Sequence, residues 1–160
     1  MWFFMISCYL LSLLTFIMLM VALFQIIFEF SVLNAAPITF IVLTSIVYSF
    51  TETLIIFFFV GTGICIKEYS KEKQLEPSYY KNALVIKRVM FPQLTLNILF
   101  MISVFILYGA VDTGKMSVGL YTVFFVLCFA HFLYDKLLQH RAFRDNTNNI
   151  LAMVGVTRSP

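Results

Sequence analysis

Charge is what this sequence has least of. Only 12% of its 160 residues are Asp, Glu, Lys or Arg, against about 25% in ordinary soluble domains. The charges also cluster. None occurs before Glu29, only Glu52 occurs between Phe30 and Ile66, and none occurs from Val89 to Val111 or from Met116 to Tyr134. A helix needs about 20 apolar residues to cross the roughly 30 Å hydrocarbon core of a bilayer. Four stretches reach that length: 2–28, 37–66, 89–111 and 116–138. The expectation is an all-α integral membrane four-helix bundle. It forms a single membrane domain over 1–160, with a loop at 67–88, a tail at 139–160 into which the fourth helix runs on, and no room for a soluble domain. Within that loop "PSYYKNALVIKR" reads either as a short interfacial helix or as a continuation of the third span.

Other shortages exclude further classes. No segment alternates apolar and polar residues over about ten positions, as transmembrane β-strands do. No Lys or Arg precedes Trp2, and the apolar run extends to Phe28. A secretory signal has a basic start and an apolar core of about 7–15 residues, so an uncleaved first span is the expectation, although "LNAAP" supplies small residues of the kind found at cleavage sites. There are three cysteines, Cys8, Cys65 and Cys128, with no CxxC or CxxCH spacing. That excludes covalent c-type haem, the common zinc pairs and a disulfide framework, leaving the thiols as small hydrophobes. P-loop, GxGxxG, HExxH and GxSxG motifs are missing, and with them the chemistries those motifs carry. The "GTG" at 61–63 follows an apolar helix with no phosphate-binding context, so it reads as packing or a loosened helix end.

The eleven basic residues are unevenly placed. Lys67, Lys71, Lys73, Lys81, Lys87 and Arg88 lie between the second and third stretches, and Lys136, Arg141, Arg144 and Arg158 at or beyond the end of the fourth. Only Lys115 lies on the other side. The positive-inside rule then puts both termini and residues 67–88 in the cytoplasm, or in the matrix if the membrane is mitochondrial. The formal charge of +3 reflects this topology and contact with anionic lipid. It does not argue for nucleic acid.

Against this background Glu52 stands out. A charged side chain at the bilayer centre costs about 2.5–3.5 kcal/mol on the insertion scale. Glu52 lies at the middle of its span, while Asn97 and His131 lie roughly 5–6 Å to the cytoplasmic side of the middle of theirs, so the three could share one layer. Ser45, Tyr48 and Ser49 recur around Glu52 on one helix face, and Cys128, His131 and Asp135 share a face of the fourth span. Such polar seams turn inward, away from lipid. Glu52 could be protonated, pair with His131, or meet a wet cavity or partner subunit. Asp135, one turn from His131, could orient or charge the imidazole. Cys128, His131 and Glu52 could in principle supply a metal site, though C-x-x-H on one helix is a weak signature. His131 and His140 are nine residues apart and point to opposite faces, so they cannot clamp one haem b. His–Met ligation, a haem shared with another subunit, or a quinone site remains open.

The stretches "FFFVGTGICIKEY", "IKRVMFPQ" and "YGAVDTG" combine an aromatic–GTG–x–x–IKE pattern with a Lys/Arg–FP start to the next span. Over roughly residues 50–115 the chain resembles a loose group of small polytopic bacterial membrane proteins. The resemblance implies a four-span bacterial inner-membrane protein and carries no activity or site residue with it. Three functions follow as expectations: an accessory subunit of a larger membrane complex, a redox or proton-handling subunit using Glu52 and His131, or a small transporter or channel. The partners expected are the lipid bilayer and other membrane subunits.

Overall fold

A computed structural model describes residues 2–28, 30–32 and 36–155. They form four long helices in chain order: α1, Trp2–Phe28; α2, Pro37–Glu72; α3, Ser78–Asp112; and α4, Val118–Met153. Each is long and apolar enough to cross a membrane. α1 packs on α2, α2 on α3, α3 on α4, and α4 closes on α1 along the thinnest of the four seams. The basic residues from Lys67 to Arg88 and from Arg141 to Arg144 gather at one end of the bundle, here termed the basic end. The 113–117 turn lies at the far end.

Local chemistry sets the helix limits. Pro37 opens α2, where its missing N–H costs nothing and its fixed φ suits the first turn. Ser117 caps α4, its Oγ accepting from the Leu120 N–H at 3.4 Å. α2 and α3 end in the same six-residue closure. After α3, Gly114 takes φ +68°, its N–H bonds Val111 O, and the Lys115 N–H bonds Ala110 O at 2.9 Å. After α2, Gln74 takes φ +51°, and the Leu75 N–H reaches back to Ser70 O at 2.9 Å. Glycine adopts this left-handed conformation freely, whereas Gln74 holds it at a cost of about 1 kcal/mol.

Two expectations about the basic end are corrected. α2 continues to Glu72, six residues beyond the apolar stretch, and "GTG" does not loosen it. Thr62 Oγ1 donates back to Phe58 O at 2.9 Å, and the helix stays continuous. Residues 78–88, open in sequence to a short interfacial helix or a continuation of the third span, are the opening turns of α3, so Pro92, expected in the first turns, lies in the helix interior. The extensions hold because they find partners. Asn149 Nδ2 donates to Tyr79 O at 2.9 Å, Asn82 Nδ2 to Asn149 Oδ1 at 3.4 Å, and Ala83, Ala142 and Phe143 are buried. At Gly63 the end of the Lys87 side chain lies over the space that a Cβ would take, with Lys87 Nζ 3.5 Å from Val60 O.

The interior has two apolar clusters. Toward the far end, Leu19, Tyr48, Met101, Tyr121, Phe125 and Phe132 pack together. Toward the basic end, Cys8, Ile55, Phe58, Phe59, Leu94 and Phe143 do so, with the Phe58 and Phe143 rings 4.9 Å apart edge to face. Helices in lipid gain little from burying one apolar surface on another, so close packing and interhelical hydrogen bonds must hold such a bundle. One such bond joins Thr15 of α1 to Thr51 of α2 at 2.9 Å; one hydroxyl donates across the seam, and the one that accepts is left to donate to its own helix carbonyl four residues back.

Candidate functional site

Between the two apolar clusters lies a polar layer built from three helices. Glu52 is fifteen residues from the far end of α2, Asn97 fifteen from that of α3, and Asp135 seventeen from that of α4. At 1.5 Å per residue these place all three roughly 23–26 Å from the far end, which brings their side chains to one level. Glu52, Asn97 and Asp135 are all 0% exposed.

The side chains form one continuous chain of hydrogen bonds. His131 Nδ1 lies 2.6 Å from Asn97 Oδ1. Asn97 Nδ2 donates to Asp135 Oδ2 at 2.7 Å, which orients the amide and makes the imidazole N–H the donor to Oδ1. Gln139 Nε2 donates to Asp135 Oδ2 at 2.5 Å and to Glu52 Oε2 at 3.0 Å, so one amide bridges two carboxylates. Lys136 Nζ donates to Glu52 Oε1 at 2.7 Å and to Gln139 Oε1 at 3.0 Å, and it lies 4.7 Å from the centre of the Phe132 ring. The Lys136 side chain is 18% exposed and that of Glu52 0%. Asp135 Oδ1 is buried with no hydrogen-bond partner among the described residues.

Four of the residues singled out from sequence, Glu52, Asn97, His131 and Asp135, thus meet in one network, but not in the pairs expected. Glu52 bonds Lys136 and Gln139 and makes no bond to His131. Asp135 does not touch the imidazole directly, because Asn97 stands between them. Tyr48 sits one turn from Glu52, its ring 5.4 Å from that of Phe132. Cys128 belongs to the far-end apolar cluster. Among the described residues no three His, Cys, Asp or Glu side chains converge as a metal site, so the Cys128–His131–Glu52 set is not assembled. His140 faces α1, with Nδ1 2.9 Å from the Tyr9 hydroxyl, away from His131.

Sequence reasoning missed Lys136 and Gln139. Lys136 was counted only for topology, yet Gln139 follows Asp135 by four residues and Lys136 by three, the spacings that bring helical side chains together. That signal was available. Thr44 and Thr51 are buried on α2, while Ser45 and Ser49 of the expected stripe are only half-buried. The chain matches no protein-family model, no curated protein and no solved structure.

Proposed function

We propose that the protein is an integral membrane protein of the bacterial inner membrane, basic end and termini in the cytoplasm, that handles protons as a subunit of a larger membrane assembly. The observation that carries the proton reading is the charge balance of the buried layer. The two buried carboxylates, Glu52 and Asp135, have one ammonium beside them, Lys136, which pairs with Glu52, and Asp135 Oδ1 has no donor among the described residues. An uncompensated charge in hydrocarbon is costly, and one proton shared by the carboxylate pair removes it. Because the two groups are joined through Gln139, they titrate as a pair and not as independent sites. Infrared spectroscopy of the purified protein in lipid tests this. A carboxylic-acid C=O band at neutral pH is expected, lost in Asp135→Asn or Glu52→Gln and retained in Glu68→Gln, whose carboxylate is exposed on α2. Stability that depends on sodium, with no such band, would replace the proton by a cation and sink the reading.

Membership of an assembly is supported by a second feature. A groove of about 490 Å³ at the basic end is walled by Phe4 of α1, Phe57, Gly61 and Cys65 of α2, and Ile150 and Met153 of α4. Nearly all its lining is apolar, and its dimensions suit large side chains of a neighbouring transmembrane helix. Cys65 is exposed, while Cys8 and Cys128 are buried. Thiol crosslinking in intact membranes should therefore trap a partner through Cys65 alone, and Cys65→Ser should abolish the adduct. A protein that crosslinks to nothing and purifies in mild detergent as a monomer would count against a subunit role.

A further inference from the structure

The seam between α1 and α4 differs from the other three. At the level of the ionic layer it is interrupted by a pocket of about 260 Å³, open at the surface, where Tyr9, Ser12, Lys136 and Gln139 meet the apolar side chains of Leu13, Phe16, Phe132 and Leu133. Two of these residues, Lys136 and Gln139, are the Glu52 end of the hydrogen-bond chain. Tyr9 also borders a second pocket, of about 180 Å³, with Trp2, His140, Arg144 and Asn148. Tyr9 thus lines both pockets, and its hydroxyl is 2.9 Å from His140 Nδ1. Tyr9, Ser12, Lys136 and Gln139 give the first pocket the polar partners that a bound water needs.

The surface around the second pocket is open to solvent. His140, Arg141, Arg144, Asp145 and Asn148 are all exposed on α4. His140 lies twenty-two residues from the far end of α4, or roughly 33 Å, about the thickness of the hydrocarbon core. It therefore stands at the inner water boundary, while Asp135 lies only five residues deeper. The opposite direction is closed, because Tyr48, Phe125 and Phe132 pack over the layer toward the far end.

Resting on the proton reading above, we propose that the carboxylate pair exchanges its proton with the cytoplasm alone, by a path between α1 and α4. It runs from His140 past the Tyr9 hydroxyl, through water in the 260 Å³ pocket, to Lys136, Gln139 and Glu52. The step is a proton transfer with no other bond made or broken. A proton taken up at the imidazole or from bulk water ends on the carboxylate pair, and Tyr9 and the pocket waters each pass one on as they receive one. Other titratable groups facing the layer are Cys8 of α1, Tyr48 of α2 and His131 of α4. Cys8 and Tyr48 are packed in the two apolar clusters, and His131 reaches the layer from the opposite, α3 side. Tyr9 and His140 are thus positioning residues for proton access.

Exchange into D2O, followed by the shift of the carboxylic-acid C=O band in the reconstituted protein, tests the path. Tyr9→Phe and His140→Gln should each slow the shift by about tenfold or more, the scale of a positioned proton-transfer group, without changing the band's position or size. Tyr108→Phe, near the far end of α3, should leave the rate unchanged. Wild-type exchange rates in both Tyr9→Phe and His140→Gln would overturn the path while leaving the proton reading intact. Slowing by Tyr108→Phe instead would overturn it in favour of access from the far end. Loss of the band from wild-type protein at every pH would remove the proton reading, and the path with it.

Discussion

Lys136→Met is expected to lower the stability of the folded protein by about 3–5 kcal/mol, the usual cost of removing one partner of a buried ion pair. The pair is short, with Nζ 2.7 Å from Glu52 Oε1, and the Glu52 side chain is itself fully buried. Losing Lys136 leaves that carboxylate with Gln139 as its only donor. The converse change, Glu52→Gln, should cost less. The Lys136 stem is partly exposed toward the α1–α4 pocket, and its ammonium can swing toward the basic end as long cationic side chains do near a membrane boundary. The double variant should recover most of the loss of Lys136→Met, because the pair is replaced by groups that carry no charge. Unfolding in mixed micelles across the full cycle measures this. Purely additive effects would mean the two side chains do not interact.

Gln139→Glu should be more damaging still, at about 4 kcal/mol or more, in the range where single substitutions become exceptional. The native amide donates to Glu52 and Asp135 simultaneously. A carboxylate in its place cannot donate to either, and it puts a third acid within hydrogen-bonding distance of two others with one lysine among them. The expected result is failure to accumulate in the membrane at neutral pH. Gln139→Met, which removes the donors but adds no charge, should cost about 2–3 kcal/mol and still accumulate. If both variants accumulate equally, charge in the layer is not what governs its stability.

The contrast between Lys136 and Glu52 also shows what the sequence made legible. Four long apolar helices follow directly from the absence of charge, and Glu52 was conspicuous because nothing around it shared its chemistry. Asn97 and His131 were found because depth along a helix is countable, and Asp135 because it follows His131 by four residues. The pairings were not legible, since they depend on how each helix is rotated toward its neighbours, and ridge-into-groove packing is not encoded in any one segment. Lys136 was hidden for a different reason. A lysine at the edge of an apolar stretch has two physical options, reaching out to water or folding inward to an acid, and only the position of Glu52 across the bundle decides between them. The extension of α2 over 67–72 escaped because alternating charges look like a solvated loop, and for 78–88 the choice between an interfacial helix and a continuation of the third span stayed open until Asn82, Asn149 and Tyr79 supply one another with partners.

The exposed polar face of α4 has a consequence for the surrounding lipid. Beyond Tyr9, α1 still presents Trp2, Phe3 and Ile6 outward, while α4 at the matching height presents His140, Arg144 and Asn148. The apolar girdle of the bundle is therefore lopsided, ending roughly 10 Å sooner on α4 than on α1. In the bilayer we propose, that mismatch is relieved by thinning of the lipid beside α4. Head groups would be drawn down along one flank only, giving the membrane a dimple whose floor is His140.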